Sequence, residues 1–288
     1  MSLFEAILLG IIQGLTEFLP ISSTAHLVIA IKLLHLDTRF SPEQLTAFEA
    51  VIQLGTLAAV LIYFAKDLKT ITAAFFIDHL AYFQGKREPG QPALGPSAWL
   101  GWYIAIGTVP IVVIGLSFKK QIEGTLTKNL YVIASAMVGL AIILAIAEMV
   151  GKRQRSVEHL TWVDAVLIGL AQACALIPGA SRSGTTITAS LFLGLNRESA
   201  ARFSFLLSIP AVLAAGLLQF VKEYKYLDRN TLIAVAVSTL VSGISGYAAI
   251  AFLIRYLKTH TTSLFIIYRI IVGAGIFLLL ALKIIPPI

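Results

Sequence analysis

The sequence predicts an all-α polytopic membrane protein with six transmembrane helices and two re-entrant helical hairpins in an inverted repeat. Of its 288 residues, 58% are hydrophobic and 13% are charged, whereas a soluble domain is about half apolar and about a quarter charged. Six apolar stretches have the length of about 20 residues that crosses a bilayer core. Two further apolar segments are each interrupted near their middle by a polar turn that contains proline.

Composition also excludes several classes of protein. So apolar a chain is neither a soluble enzyme nor a disordered protein, and a single cysteine, Cys174, excludes an intramolecular disulfide. The net charge of +7 lies in short connectors and not in a basic domain. We therefore expect no nucleic-acid partner and favour anionic lipid headgroups or a phosphate-bearing ligand.

The six predicted spans are continuous apolar runs without the alternation of barrel strands. Polar or charged connectors separate them, the longest running from residue 66 to 97. The predicted spans are 45–65, 98–118, 129–150, 201–221, 231–254 and 263–285.

The two interrupted segments are 3–34, broken at Pro20, and 162–194, broken at Pro178. Proline removes a helical hydrogen bond and also restricts the residue before it. Broken backbone at membrane depth is tolerated only where protein or a wet cavity satisfies it. We therefore predict two re-entrant hairpins, each made of two short helices around a polar turn.

The interrupted segments resemble each other, which predicts a repeat with halves 1–150 and 151–288 inside one membrane domain. Three spans in each half make the halves opposite in orientation, and paired broken helices in such repeats indicate a midplane site. The alignment pairs Gly10 to Gln13 with Gly169 to Gln172 and, after a one-residue gap, Pro20 with Pro178 and Ser23 with Ser181; further on it pairs Phe48 with Phe203, Glu49 with Ser204 and Gln53 with Ser208.

The distribution of Lys and Arg predicts an external N-terminus. In that orientation the connectors 66–97, 151–160, 195–200 and 255–262 face the cytoplasm and carry ten basic residues, against eight on the other face. The positive-inside rule favours this arrangement by a small margin.

The first candidate constellation runs from Gln13 to His26. Gln13 and Glu17 are four residues apart, so they share one helix face, and an ionisable residue inside an apolar segment indicates function. Ser22, Ser23 and Thr24 follow the proline, and His26 lies three residues after Ser23.

The second constellation runs from Pro178 to Thr186. Glycine lets the backbone approach a ligand closely, while hydroxyls and N–H groups at a helix start bind anions. Arg182 offers a forked, permanent charge suited to phosphate. The constellation's hydroxyl residues are Ser181, Ser183, Thr185 and Thr186.

A third pair, Glu49 and Gln53, lies in the first full span. Carboxylates hold hard divalent cations through oxygen, and arginine with helix N-termini neutralises charge on phosphate. The combined set predicts phosphoryl chemistry on a lipid-linked phosphate. Small-residue runs such as 243–246 suit packing within the chain or against a second copy, so a homodimer stays open.

These motifs resemble those of the undecaprenyl-diphosphatase family, membrane proteins linked to bacitracin resistance. The family's first signature, Glu or Gln followed four residues later by Glu, matches Gln13 and Glu17. Its second, Pro-Gly-x-Ser-Arg-Ser-x-x-Thr, is complete from Pro178 to Thr186, and residues 48–55 also resemble the family.

The resemblance implies hydrolysis of undecaprenyl diphosphate to the monophosphate carrier of peptidoglycan synthesis, with Mg²⁺ or Ca²⁺, at a site open to the outer side of the bacterial plasma (inner) membrane. The residues that match the family are Glu17, Ser23, His26, Ser181, Arg182 and Thr186. From the match and the residue chemistry together, the expected catalytic residues are Glu17, Ser23, His26 and Arg182. Glu17 and Glu49 are the expected metal ligands. The expected diphosphate-binding residues are Gln13, Ser22, Thr24, Gln53, Ser181, Arg182, Ser183 and Thr186.

Two questions stay open at the level of sequence. The nucleophile is Ser23 with His26 or Glu17 as base, His26 itself, or a metal-activated water. Broken helices in inverted repeats are also typical of transporters, so the alternative function is a flippase for the polyprenyl phosphate carrier.

Overall fold

A computed structural model describes residues 1–86, 92–118, 129–223, 226 and 232–287. These residues form α-helices joined by short turns, with no β-sheet in the described ranges. The helices are α1 (Leu3–Phe18), α2 (Ser23–Leu33), α3 (Pro42–Tyr63), α4 (Ala65–Phe83), α5 (Pro96–Ser117), α6 (Leu130–Val150), α7 (Trp162–Ala173), α8 (Arg182–Phe192), α9 (Arg197–Glu223), α10 (Leu232–Leu257) and α11 (Ser263–Ala281).

Six of these helices are long and apolar enough to cross a membrane, namely α3, α5, α6, α9, α10 and α11. They correspond one to one with the six predicted spans, and their ends lie within a few residues of the predicted ends. The predicted class, an all-α multi-pass membrane protein, is confirmed. The connector predicted at 119–128 lies outside the described residues.

Both interrupted segments form the predicted pair of short helices. The chain leaves α1 at Leu19 and enters α2 after Ser22, and it leaves a short 3₁₀ turn at Leu176 and enters α8 after Ser181. Ser22 and Ser181 have φ of 76° and 69°, a left-handed conformation that costs a non-glycine residue about 1–3 kcal/mol. Each serine side chain caps the helix that follows, which offsets part of that cost.

The caps correct the alignment of the two halves. Ser22, and not Ser23, is the structural counterpart of Ser181, because both have positive φ and both accept a hydrogen bond from the backbone N–H three residues later. Ser22 and Ser181 are 159 positions apart. Ser2 and Thr161, which cap α1 and α7 through capping boxes, are also 159 positions apart. The gap placed before Pro20 was therefore wrong.

Helix α4 lies inside the connector that the sequence predicts as polar. Its charged residues hide its helical character from a search for long apolar runs. The helix is held by α5: Trp102 donates to His79 at 3.1 Å, and the Gly95 N–H donates to Asp78 at 2.6 Å. Gly101 lies where a Cβ would come within 3.2 Å of the Phe75 ring.

Each hairpin packs against a span of the other half: α1 contacts α10, and α7 contacts α5. Glycines make this approach possible. A Cβ at Gly10 would lie 2.5 Å from the Ser238 carbonyl oxygen, and one at Gly55 would lie 2.2 Å from that of Thr239. The run 243–246 also packs inside the chain, since Gly243 faces Gly55. The division into halves at residue 150 stays a prediction.

Ion pairs join the connectors that the sequence places on one face. Asp67 pairs with Arg202 at 2.6 Å, and Glu198 pairs with Lys258 at 3.2 Å. Glu148, at the end of α6, accepts from the Arg197 Nε at 2.8 Å. These contacts gather the ends of α3, α6, α9 and α10 at one end of the molecule.

Candidate active site

The two broken turns meet in the middle of the molecule. Glu17, in the last turn of α1, forms an ion pair with Arg182, the first residue of α8. Their side chains are 6% and 14% exposed. Ser183 donates to the Leu19 carbonyl at 3.1 Å, so a second hydrogen bond joins the turns. The structure thus brings the two sequence motifs together.

Glu17 contacts three side chains at the meeting point of the two turns. Its Oε2 accepts from the Ser23 hydroxyl at 2.8 Å and from the Gln13 Nε2 at 3.1 Å, while Arg182 contacts Oε1. Gln13 reaches Glu17 because the two residues are four positions apart on one helix. Ser23 reaches the same carboxylate because the chain reverses direction at the proline turn. Glu17 therefore has an arginine on one oxygen and a hydroxyl on the other.

A cavity of about 180 Å³ adjoins this pair. Its lining contains both polar residues and apolar or small residues, which suits a ligand with a charged head and a hydrocarbon tail. The polar residues of the lining, called the polar wall below, are Glu17, Ser22, Ser23, Thr24, Gln53, Ser181 and Arg182. The apolar or small residues, called the apolar wall below, are Ile111, Ala175, Ile177, Gly179, Ala211, Val212 and Ala215.

The N-termini of α2 and α8 both reach the polar wall. Ser22 and Ser181 are the cap residues, and Ser23 and Arg182 begin the helices. The first N–H groups of a helix have no intrahelical acceptor and attract anions. Two such ends beside Arg182 are features that attract an anion.

His26 lies away from Ser23. Its Nδ1 is 2.7 Å from the Ser22 carbonyl and its Nε2 is 2.7 Å from the Tyr268 hydroxyl. A carbonyl only accepts, so Nδ1 carries the proton and Nε2 accepts from Tyr268. Of the two bases that the sequence leaves open for Ser23, Glu17 is the one that its hydroxyl contacts, whereas the His26 ring nitrogens contact Ser22 and Tyr268.

Five predicted site residues do not line the cavity, namely His26 and four others. Gln13 holds Glu17, and Ser183 binds the opposite turn. Thr186 is fully buried, where its hydroxyl contacts the Arg182 carbonyl at 2.8 Å and Ser204 at 2.6 Å, so it packs α8 on α9. Glu49 lies one helical turn from Gln53, outside the lining set.

Two residues of α11 were missed from the sequence. Tyr268 stacks on His26 and bonds to it, and Arg269 donates to carbonyls of both broken turns. An arginine inside a predicted span is costly and indicates function. That signal was present at Arg269, whereas nothing in the sequence singled out Tyr268.

The described residues provide few ligands for a metal. They include no cluster of three or more His, Cys, Asp or Glu side chains that could hold an ion, and Glu17 is the one carboxylate among the residues that line the cavity. Magnesium is often held by one or two carboxylates together with substrate phosphates and water. The residues therefore fit a cation that binds together with a phosphorylated ligand, and not a preformed cage.

Comparison with known proteins identifies the family. A family model described as bacitracin resistance protein BacA matches residues 6–275. The chain belongs to the BacA family. Both broken turns and the Glu17–Arg182 pair lie inside the matched range, so the cavity is part of the BacA domain.

Three curated relatives of this chain share one name, undecaprenyl-diphosphatase. The chain is 49% identical to the one of Syntrophobacter fumaroxidans, with 96% of each chain covered. It is 52% identical to one of Chlorobium limicola, covering 99% of each chain. A third, from Chlorobaculum tepidum, is 50% identical, and 97% of this chain and 98% of the relative are covered.

Proposed function

We propose that this protein hydrolyses undecaprenyl diphosphate to undecaprenyl phosphate and inorganic phosphate. Membership of the BacA family and relatives named undecaprenyl-diphosphatase support the substrate. The observation that carries the chemistry is the contact of Glu17 with both Ser23 and Arg182 at a cavity between two broken helices. A nucleophile, a base and a phosphate-binding cation thus lie on one wall.

Binding places the diphosphate at the polar wall. Arg182 turns from Glu17 to the phosphate oxygens, which it binds through two parallel N–H groups. The diphosphate also binds to the N-terminal N–H groups of α2 and α8 and to the side chains of Thr24 and Gln53. The apolar wall accepts the first isoprenyl units, so the substrate enters from the lipid.

In the first chemical step, the Ser23 Oγ attacks the terminal phosphorus and its proton passes to the Glu17 carboxylate. The bond between that phosphorus and the bridging oxygen breaks, and undecaprenyl phosphate leaves with the bridging oxygen. Water then cleaves the phosphoserine, which restores the Ser23 hydroxyl and releases inorganic phosphate. Attack by His26 or by water directly are the alternatives, and the observed Ser23–Glu17 distance of 2.8 Å favours Ser23.

A divalent cation, Mg²⁺ or Ca²⁺, is part of the proposal. When bound, it neutralises charge on the phosphate oxygens. Glu17 is the protein ligand that the cavity offers directly, with the Gln53 amide oxygen beside it. Glu49, one helical turn from Gln53 on α3, is the second carboxylate that we propose as a ligand.

We also propose the bacterial inner membrane as the location, with the site open to the periplasmic side. The basic connectors joined by ion pairs at one end of the molecule support a cytoplasmic position for that end. Membrane lipids are the surrounding partners, and a homodimer stays a proposal. The flippase alternative gains no support from the cavity, because translocation needs no hydroxyl held against a carboxylate.

Phosphate release from undecaprenyl diphosphate by detergent-purified protein tests the proposal directly. We expect release by the natural protein, and loss of release in Arg182→Ala. Arg39→Ala is the matched control, because Arg39 is exposed and pairs with Glu5 away from the cavity. Absence of release by well-folded natural protein with Mg²⁺ or Ca²⁺ would overturn the assignment.

A further inference from the structure

Arg269 is a fully buried arginine without an acidic partner. Its side chain is 0% exposed, and no carboxylate in the described residues forms an ion pair with it. The guanidinium donates instead to five backbone carbonyls: Pro20 at 3.4 Å, Ala136 at 3.3 Å, Met137 at 3.1 Å, Gly179 at 3.2 Å and Ala180 at 3.0 Å. Burying a charge costs free energy unless the charge is paired. We therefore look for a functional reason for an arginine without an acidic partner at this position.

Three of the five carbonyls that Arg269 binds belong to the two broken turns, and the other two, Ala136 and Met137, belong to α6. Pro20 lies in the first turn, and Gly179 and Ala180 lie in the second. A trans peptide points its C=O and N–H to opposite sides, so the bond from Arg269 to the Ala180 carbonyl directs the Ser181 N–H away from Arg269. Ser181 lines the cavity. Arg269 thus lies behind the turns, and the cavity lies in front of them.

Space for the guanidinium depends on the second motif. A Cβ at Gly184 would lie 2.6 Å from the Arg269 Nη1. Glycine at position 184 therefore leaves room for Arg269 beneath the start of α8. The motif contains a residue that serves Arg269 and does not itself line the cavity.

The charges around the cavity give Arg269 a second effect. Glu17 and Arg182 form an ion pair and largely cancel each other. Among the described ionisable side chains that hydrogen-bond to the two turns, Arg269 is the one charged group without a partner of opposite charge. A positive charge in a medium of low dielectric acts on an anion several ångströms away.

We infer that Arg269 is a positioning residue that holds the peptide groups of both turns and supplies the net positive charge that attracts the diphosphate. This inference rests on the proposed function for the identity of the ligand. Arg269 does not touch the substrate and acts through the turns and through its charge.

Binding of methylenediphosphonate, a diphosphate analogue that is not hydrolysed, tests the inference on detergent-purified full-length protein. Isothermal titration compares the natural protein with Arg269→Gln, Arg269→Lys and the control Arg39→Gln. We expect Arg269→Gln to weaken binding by at least about tenfold, whereas Arg39→Gln binds normally. Arg269→Lys keeps the charge but not the five bonds, so its affinity stays within about threefold while its turnover falls.

A double variant separates charge from shape. Glu17→Gln combined with Arg269→Gln restores the net charge of the site, so the affinity should recover relative to Arg269→Gln alone. Normal binding by folded Arg269→Gln would overturn the inference. So would a tenfold loss of affinity in folded Arg269→Lys, which decides the matter even where Arg269→Gln does not fold.

Failure of the inference is distinguishable from failure of the proposed function. Natural protein that binds the analogue through Arg269 but releases no phosphate from the lipid would contradict the function alone. Natural protein that releases phosphate, with Arg269→Gln binding unchanged, would contradict the inference alone.

Discussion

Glu17 and Arg182 form a buried ion pair although 165 positions separate them in the sequence. The pair joins the last turn of one broken hairpin to the first turn of the other. In the proposed function, the diphosphate competes with Glu17 for the Arg182 guanidinium, because the two side chains are paired in the structure. We expect this competition to free one oxygen of the carboxylate, so that Glu17 accepts a proton once the phosphate is bound.

Replacement of Arg182 by lysine tests the need for a forked cation. Lysine keeps the charge but loses the two parallel N–H groups, so we expect turnover to fall at least roughly 100-fold, as for loss of one transition-state donor. Steady-state phosphate release measures this, with Arg39→Lys as control. Near-normal turnover in both Arg182→Lys and Arg182→Ala would remove Arg182 from the mechanism.

Replacement of Glu17 by glutamine tests the metal assignment. We expect the concentration of Mg²⁺ or Ca²⁺ for half-maximal activity to rise about tenfold or more, or activity to be lost. Glu49→Gln should change it much less, because Glu49 lies outside the lining set. Titration of metal-stripped protein with each cation provides the measurement. If neither variant changed the cation concentration for half-maximal activity, the assignment of these residues as metal ligands would lose its support. If Glu49→Gln had the larger effect, Glu49 and not Glu17 would be the main ligand.

Trapping of a phosphorylated enzyme identifies the nucleophile. We expect acid quenching during turnover, followed by peptide mass spectrometry, to find phosphate on Ser23. Ser23→Ala should reduce turnover at least about 1,000-fold, since it removes the attacking group. Thr24→Ala, next to it on the same wall, should cost far less. Phosphate on His26, or high activity of Ser23→Ala without an intermediate, would exclude the Ser23 mechanism.

Removal of the Tyr268 hydroxyl tests whether the orientation of His26 matters. Tyr268→Phe keeps the stacked ring and loses the 2.7 Å bond to the His26 Nε2. A single hydrogen bond contributes about 0.5–1.5 kcal/mol, so we expect a roughly three- to tenfold fall in turnover with a small change in melting temperature. Unchanged turnover would show that His26 needs no such support.

The packing of α3 against α10 is tested by two glycines in different spans. A Cβ at Gly55 would lie 2.2 Å from the Thr239 carbonyl oxygen, whereas Gly139 has no atom within 4 Å of a Cβ. We expect Gly55→Ala to destabilise the protein by about 1–3 kcal/mol, and Gly139→Ala to leave it unchanged or slightly stabilised. Thermal unfolding in detergent measures both. Equal melting temperatures would contradict the close approach of the two helices.

Much of the fold could be predicted because the determining forces are local. A span needs about 20 consecutive apolar residues, and each break contains a proline that interrupts an apolar helix. The helix α4 could not be found in this way, because its polar residues resemble those of a connector. It is held by Trp102 of α5 and by Gly95, the residue that precedes α5. The gap in the repeat alignment was wrong because the alignment was made on the two prolines, which the sequence shows. The positive φ that Ser22 and Ser181 share supports a different alignment, and the sequence does not show it.

The sequence alone predicts the class of the protein, the number of spans, the two breaks and the residue types that phosphate chemistry requires. The tertiary structure shows which of those residues meet. It placed Ser23 on Glu17 and not on His26, turned Thr186 inward to Ser204, and brought Arg269 to Pro20 from 249 positions away. Hydrophobicity and helix breaking are properties of a short stretch of chain. Contact between distant side chains depends on how the helices pack, and no local pattern encodes that register.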